Sequence, residues 1–320
     1  QRLLKWAKIE AEWTFAPTVA VPRDDRWGRS YEGYAEHPEV VAQFAPAMVE
    51  GLQGIPGADT FLDDAHVMSS VKHYLGDGGT TEGKDQGDTR SSEAELRDIH
   101  AAGYVTAIAA GAQAVMASYN SFHGTKMHGH KALLTDVLKG RMNFGGFVVG
   151  DWNGHGQVAG CTPTDCAATY TAGLDLAMAP DSWKGLYEST LAHVRDGTIP
   201  MARLDDAVRR ILRVKFRMNL FEKPRPSERA LGGKFELLGA PEHRAVARQA
   251  VRESLVLLKN QGGVLPLDPR KRLLVAGDGA NDLGKQSGGW TLNWQGTGTK
   301  RADYPNADSI WEALRDQVKG

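Results

Sequence analysis

The sequence lacks an excess of either charge and any long apolar run. Its 320 residues hold 38 Lys and Arg against 39 Asp and Glu, a formal net charge of -1 at pH 7. This balance gives no electrostatic reason to expect nucleic acid as a partner. No stretch approaches the roughly 18 to 20 uninterrupted apolar residues that a membrane-spanning helix needs, and the first five residues do not form a secretion signal. We therefore set aside nucleic-acid binding and a membrane span.

Cysteine is also scarce. The two cysteines, Cys161 and Cys166, lie close together in the stretch GCTPTDC. A loop disulfide between them would imply an oxidising compartment, whereas two unpaired thiols would not, and short spacing alone does not guarantee the bridging geometry. The sequence leaves both alternatives open.

Short apolar runs that end in polar residues alternate with longer segments of helical period. This alternation is typical of parallel βα units. The predicted strands cover residues 14–20, 67–74, 114–119, 146–150 and 175–179. The predicted helices cover residues 38–52, 93–110, 131–142, 183–195 and 201–218, and a capping box at Ser92 marks the start of the second.

Five strands fall short of the eight in a closed (β/α)8 barrel, which typically takes about 250 residues. We expect an α/β fold in which residues 1–221 form an incomplete TIM-like barrel, with a missing N-terminal portion accounting for the shortfall. Residues 222–270 predict a linker rich in Pro, Gly and charge, followed by a connecting helix over 241–257. Residues 271–320 predict the N-terminal part of an α/β sandwich domain, with a first strand at 272–277 and a helix at 309–318.

Polar motifs follow four of the predicted strands where the strands end: RDDRWGR, KHYLGDGG, SYN and GDWNG. In a βα barrel the carboxyl ends of the strands meet at one rim, where the reactive groups cluster. These strand ends would present Arg, Lys-His, Tyr and Asp-Trp side chains together. A pocket lined by cations, a hydroxyl, a carboxylate and an indole ring suits a sugar.

Asp151 follows the apolar run at the end of the fourth strand. An ionised carboxylate there could attack an anomeric carbon, and neighbouring cations such as Lys72 and Arg29 would favour ionisation by lowering the pKa. The alternative is a structural aspartate that caps the next helix. Trp152 favours the catalytic interpretation, because pyranose rings stack on indole faces.

Lys72 and His73 end a strand that is predicted to be buried, where a charge is costly unless it is paired. They could donate hydrogen bonds to vicinal sugar hydroxyls, or Lys72 could be held in an internal salt bridge. Arg29 has the same two interpretations, since it could clamp hydroxyls or brace Glu32 or Asp24.

Two other patterns suggest a phosphate-binding loop and a metal site, but each lacks a feature that the site requires. Residues 279–285 match much of a phosphate-binding loop, but Gln286 stands where the Mg²⁺-binding Ser or Thr belongs. His123, His128 and His130 lie within eight residues, yet they have neither helical i, i+4 pairing nor a cysteine partner. We expect no cofactor and no metal, and we interpret His128 as a residue that borders the pocket.

Seven motifs in chain order resemble glycoside hydrolase family three, in its β-glucosidase and β-glucan exohydrolase branch. They are FAPTVAVPRDDRWGRSYEGY, VKHYLGDGGT, MASYN, KMHGH, GFVVGDWNG, ESLVLLKN and GGWTLNWQG, and they span nearly the whole chain. The resemblance implies a retaining, exo-acting enzyme that removes terminal β-D-glucosyl residues from β-glucosides or β-linked gluco-oligosaccharides through a covalent glycosyl-Asp intermediate. Together with a disulfide, it implies a periplasmic or extracellular location.

By this resemblance Asp151 is the catalytic nucleophile. The substrate-binding residues that it implies are Arg29, Lys72, His73, Tyr119, Trp152, Trp290 and Trp294. Trp152 and Trp294 would sandwich the second glucosyl unit, with Trp290 nearby, and the linkage between the units stays open.

Two departures from the family pattern lead to a further expectation. A Gly-Ile-Asp motif does not precede Thr14, and the family's general acid/base, a glutamate in the second domain, is expected beyond Gly320. Because retaining hydrolysis needs two carboxyl groups, we expect this polypeptide to be weak or inert as given. The alternatives are a β-N-acetylglucosaminidase of the same family, although its KHFPGHG motif reads KHYLGDGG here, and a non-catalytic carbohydrate-binding fragment.

Overall fold

The computed structural model describes residues 12–318. These residues divide into two compact units, which meet in the chain between residues 233 and 234. The first eleven residues of the predicted barrel range 1–221 lie outside the described residues. No helix among residues 12–318 is long and apolar enough to cross a membrane.

The first unit alternates strands and helices along the chain. Its strands are β1 (Ser70–Tyr74), β2 (Asp88–Thr89), β3 (Ala114–Ala117), β4 (Ser121–Phe122), β5 (Thr125–Lys126) and β6 (Phe147–Val149). Its α-helices are α1 (Pro38–Gln53), α2 (Glu93–Glu95), α3 (Ala102–Ala109), α4 (Ala167–Ala172), α5 (Trp183–Arg195) and α6 (Met201–Arg217). Two π-helical segments, Leu96–His100 and Ala132–Arg141, and several short 3₁₀ helices also belong to this unit.

A parallel sheet of order β1-β3-β6 lies at the centre of this unit. A parallel bridge joins Thr18 to Lys72 on one side of the sheet, and another joins Val149 to Leu176 on the other. Within the described part of the unit, five parallel segments therefore lie side by side in chain order, as the winding of βα units requires. The predicted strand positions and the TIM-like α/β class are confirmed, although the first and fifth segments contribute isolated bridges.

Helix starts follow the predicted local signals. The Ser92 hydroxyl accepts the backbone N–H of Glu95, and the Glu95 carboxylate accepts the backbone N–H of Ser92. These two bonds confirm the predicted capping box. Pro38 opens α1 at a position where a missing N–H costs nothing. The helices pack on the sheet through fully buried side chains such as Val41, Val71 and Val115, so the strand ends are held by a close-packed core.

The second unit contains α7 (Pro241–Ser254), α8 (Leu283–Ser287) and α9 (Ile310–Gln317). The strand predicted at 272–277 is wrong, because those residues join no ladder within residues 12–318 and Leu274 is 94% exposed. A strand needs a partner for its backbone N–H and C=O groups. Similarly, the helix predicted over 241–257 ends at Ser254, and the following Leu255 is extended.

Candidate active site

The predicted rim residues of the first unit lie at the ends of its parallel segments. Lys72 and His73 belong to β1, Tyr119 follows β3 and Asp151 follows β6 by two residues. Arg29 lies in the loop that follows the first segment. The carboxyl ends of parallel neighbours lie at the same edge of a sheet, and the contacts below show which of these side chains meet.

His73 is the centre of this group. Its side chain is 3% exposed, with Nε2 at 3.0 Å from Arg29 Nη2 and 3.8 Å from Asp151 Oδ2. Its Nδ1 lies 2.9 Å from Asp77 Oδ2. Burial and the Arg29 charge lower the pKa of His73 to about 3, so the ring is neutral near pH 7. Because an arginine can only donate, Nε2 accepts from Arg29 and Nδ1–H donates to Asp77.

Arg29 pairs with Glu32, one of the two carboxylates that the sequence suggested as its partner; its contact with sugar hydroxyls stays a prediction. Its Nε and Nη2 donate to the two carboxylate oxygens of Glu32 at 2.7 and 3.0 Å, while Nη2 also reaches His73. The arginine and glutamate side chains are only 13% and 4% exposed. Asp24, the other suggested partner, instead pairs with Arg26. Arg29 is thus braced by Glu32 in a fixed fork geometry and directed at His73.

Lys72 is buried beside this group, and burial lowers the pKa of its ammonium. The charges of Glu32, Asp151 and Asp77 act in the opposite direction, and that of Arg29 adds to the lowering. Lys72 therefore lies among charges of both signs, and its role in binding sugar hydroxyls stays a prediction.

Asp151 turns its carboxylate toward the group. Oδ2 faces His73, and Oδ1 accepts the backbone N–H of Trp152 at 2.7 Å. The Tyr119 hydroxyl donates to the Trp152 carbonyl, and burial together with the Asp151 charge raises the pKa of Tyr119. The polar cluster therefore comprises Arg29, His73, Tyr119 and Asp151. It combines hydrogen-bond donors with one carboxylate.

His128 binds the backbone of Asp151. The sequence indicated only that His128 borders the pocket. Its Nε2 accepts the Asp151 backbone N–H at 2.9 Å, and its backbone carbonyl accepts the Thr169 hydroxyl at 2.7 Å. The ring is 1% exposed, and burial followed by the His155 charge lowers its pKa to about 3. A neutral ring is required, since only an unprotonated nitrogen can accept this N–H.

The sequence suggested Glu32 as a possible partner of Arg29, but it did not assign Asp77 to the site. Glu32 lies three residues after Arg29 on one 3₁₀ turn, and Asp77 lies four residues after His73. The short spacing was a usable signal, but the sequence does not show that these loops turn tightly enough to bring the pairs together.

We expect Gly154→Ala to disturb the support of Asp151. A Cβ at this position would lie 2.4 Å from Cε1 and Nε2 of the buried His128 ring, and such overpacking costs about 1–3 kcal/mol. Urea denaturation should show this loss of stability. Gly145→Ala is the control, because a Cβ there meets nothing within 4 Å; equal effects of the two changes would contradict this account of the contact.

The neutral His128 also predicts a pH dependence of stability. Between pH 3 and 6.5 the unfolded chain carries the histidine proton and the folded chain does not, so the free energy of unfolding should fall as the pH is lowered from 6.5. This one site contributes about 1.4 kcal/mol per pH unit. The titratable groups that face the ring are His155, Lys126 and His73. His128→Gln should reduce the slope by one proton in urea titrations at several pH values, and an unchanged slope would refute the assignment.

The three predicted tryptophans lie in different units. Trp152 belongs to the first unit and its ring is more than half exposed. Trp290 and Trp294 belong to the second unit, where the Trp290 backbone N–H donates to the Trp294 carbonyl at 2.8 Å and both rings are exposed. Their role in substrate binding stays a prediction.

Cys161 and Cys166 form a disulfide with an S–S distance of 2.05 Å, which decides between the two alternatives left by the sequence. Among residues 12–318, no group of three or more His, Cys, Asp or Glu side chains is arranged to hold a metal ion.

Comparisons with known proteins identify the family of the chain. Residues 4–214 match the Glycosyl hydrolase family 3 N terminal domain, and residues 255–320 match the Glycosyl hydrolase family 3 C-terminal domain. A lysosomal beta glucosidase of Dictyostelium discoideum is 32% identical over 95% of this chain, and a periplasmic beta-glucosidase of Salmonella typhimurium is 34% identical over 87%. The chain spans 38% and 36% of the length of these two curated relatives.

A solved structure, the exo-1,3/1,4-beta-glucanase ExoP from a Pseudoalteromonas species, is 51% identical and superposes with a TM-score of 0.93. The match covers 96% of this chain and 38% of that one. The chain belongs to glycosyl hydrolase family 3.

Proposed function

We propose that this chain forms the nucleophile-bearing part of a retaining, exo-acting β-glucosidase or β-glucan glucohydrolase. The observation that carries the proposal is the position of the Asp151 carboxylate, with Oδ2 3.8 Å from the buried His73 and beside Arg29. The names of the relatives, β-glucosidases and an exo-1,3/1,4-β-glucanase, support a terminal β-D-glucosyl residue as the substrate group.

In the proposed mechanism, Asp151 attacks the anomeric carbon of the terminal sugar. Its Oδ1 accepts the Trp152 N–H, so Oδ2 forms the bond to C1 while the bond between C1 and the leaving oxygen breaks. The leaving oxygen takes a proton from a general acid, and water then cleaves the glycosyl-Asp ester. Lys72, Arg29, His73 and Tyr119 bind the hydroxyls of the sugar, and Trp152 binds the unit that follows. Trp290 and Trp294 are proposed as further substrate-binding residues.

We propose further that the 320-residue chain turns over poorly. Two carboxylates besides Asp151 lie beside His73 and Arg29, and Glu32 is held by two bonds from Arg29. Burial raises the pKa of Asp77 to about 7, but the side chain is buried and its two oxygens accept bonds from His73 and from the Gly78 N–H. We therefore propose that neither carboxylate is free to reach the leaving oxygen. Loss of the general acid typically lowers the rate by about 10² to 10⁴. A leaving group that needs no proton would make the general acid unnecessary for formation of the glycosyl-Asp ester.

The test uses 2,4-dinitrophenyl β-D-glucoside, whose phenolate leaves without protonation. We expect a burst of dinitrophenolate that is stoichiometric with protein, followed by slow turnover. The corresponding β-xyloside and β-N-acetylglucosaminide are run in parallel, and a larger burst with the latter would favour the N-acetylglucosaminidase alternative. Binding of glucosides without any burst would favour a non-catalytic carbohydrate-binding protein and overturn the proposal.

The disulfide also supports a proposed location in an oxidising compartment, the periplasm or the cell exterior. Peptide mapping of protein isolated under thiol-blocking conditions should recover Cys161 and Cys166 as one linked species. Recovery of two blocked thiols would contradict this location.

A further inference from the structure

Helix α5 carries two exposed aromatic rings at the rim. Trp183 and Tyr187 are 57% and 65% exposed and lie four residues apart. Side chains at i and i+4 lie on one helical face with Cβ atoms about 5–6 Å apart. Because helical side chains lean toward the N-terminus of their helix, both rings incline toward the end of α5 that follows the fifth parallel segment.

That end of α5 is connected to the loop of the nucleophile. Ser182, which precedes the helix, donates from its hydroxyl to Asn153 Oδ1 at 3.4 Å. The Asn153 backbone N–H donates in turn to the Met178 carbonyl at 2.8 Å. Asn153 is two residues after Asp151, so the N-terminal end of α5 is joined by hydrogen bonds to the loop that follows Asp151.

The disulfide-closed loop braces α5 from its other side. The Ser189 hydroxyl donates to the Thr164 carbonyl at 2.8 Å, and His193 Nε2 lies 2.7 Å from Asp165 Oδ1. A Cβ on Gly185 would lie 2.9 Å from the Thr164 side chain, so helix and loop are in close contact. The Cys161–Cys166 bond encloses both loop residues. The rings are therefore presented on a fixed helix, which reduces the entropy lost when a ligand binds.

We propose that Trp183 and Tyr187 form a distal subsite for a neutral β-glucan chain, beyond the sugars bound at Asp151 and Trp152. This inference rests on the proposed function. Pyranose faces stack on exposed aromatic rings, and Lys184 Nζ, 5.4 Å from the Trp183 ring centroid, supplies a hydroxyl donor. Asp181 and Glu188 flank the rings, so the single lysine is outweighed by acidic side chains and an anionic polysaccharide is disfavoured.

The experiment measures affinity for β-gluco-oligosaccharides of two to six units by calorimetry. In the unaltered chain, affinity should rise with length beyond two units. Trp183→Ala and Tyr187→Ala should each remove about three- to tenfold of the affinity for the longest oligosaccharide, while Trp183→Phe, which keeps a ring, should lose less. Phe216→Ala, an exposed aromatic change on α6, is the matched control and should keep the length dependence.

A second variant distinguishes the effect of holding α5 in place from the effect of the ring contacts themselves. Replacing both Cys161 and Cys166 by serine should weaken the length dependence, because the loop no longer fixes α5, while the dinitrophenolate burst persists. Affinity that is independent of length in the unaltered chain, or unchanged in the Trp183 and Tyr187 variants, would overturn the distal subsite. Failure of the proposed function is recognised separately, since the unaltered chain would then show no burst with the aryl glucoside.

Discussion

Asp151→Asn is expected to abolish the dinitrophenolate burst, with a fall in its rate of at least about 10⁴-fold. The amide keeps the shape of the carboxylate and can still accept the Trp152 N–H at Oδ1, but it is a far weaker nucleophile toward an anomeric carbon. Because the amide is isosteric with the carboxylate, the change should leave the fold intact although the side chain is only 15% exposed. Stopped-flow absorbance measures the burst, and near-ultraviolet circular dichroism reports on folding.

The control for this change is Glu82→Gln, which neutralises an exposed carboxylate in another rim loop of the same unit. The burst should persist in that variant. A burst of normal amplitude in Asp151→Asn, or an equal loss in Glu82→Gln, would show that Asp151 is not the nucleophile.

Arg29→Met is expected to destabilise the chain by about 3–5 kcal/mol, because it leaves the nearly buried Glu32 carboxylate without its two hydrogen bonds. It should also weaken glucoside binding, since His73 loses the donor at Nε2. Urea denaturation followed by tryptophan fluorescence gives the stability, and calorimetry gives the affinity. Adding Glu32→Gln to Arg29→Met should recover part of the stability, since losing the bonds from Arg29 costs a buried neutral amide less than a buried carboxylate.

Arg26→Met is the matched control, because Arg26 pairs with Asp24 but is 67% exposed. Solvent screens an exposed pair, so its loss should change stability far less. Equal losses for Arg26→Met and Arg29→Met, or a double variant that is worse than Arg29→Met alone, would contradict the buried fork between Arg29 and Glu32.

The parallel sheet could be predicted because its strands are apolar runs bounded by polar residues, as at Phe147–Val149 before Asp151. The strand expected at 272–277 had the same apolar appearance but gains no ladder within the described residues. Hydrophobicity reports a preference for burial, whereas a strand also depends on a neighbour that is distant in sequence. Local sequence signals therefore identified helix starts better than they identified this strand.

The sequence likewise predicted some features of the candidate active site and not others. Strand ends indicated Asp151, His73 and Arg29 because topology alone brings them to one rim. The sequence could not show that Glu32 would brace Arg29, or that His128 would accept the Asp151 N–H, since each contact depends on the conformation of loops. Those supporting contacts fix the directions of the reactive groups, and they form only once the loops have folded.

The most direct test of the central claim is to trap the glycosyl-enzyme. The protein is incubated with 2,4-dinitrophenyl 2-deoxy-2-fluoro-β-D-glucoside, whose fluorine slows cleavage of the glycosyl-Asp ester more than the formation of that ester. Intact-mass measurement should therefore show one fluoroglucosyl group per chain. Proteolysis and tandem mass spectrometry should locate that group on Asp151. An unmodified chain, or a fluoroglucosyl group on Asp77, Glu32 or any other carboxylate, would contradict the assignment.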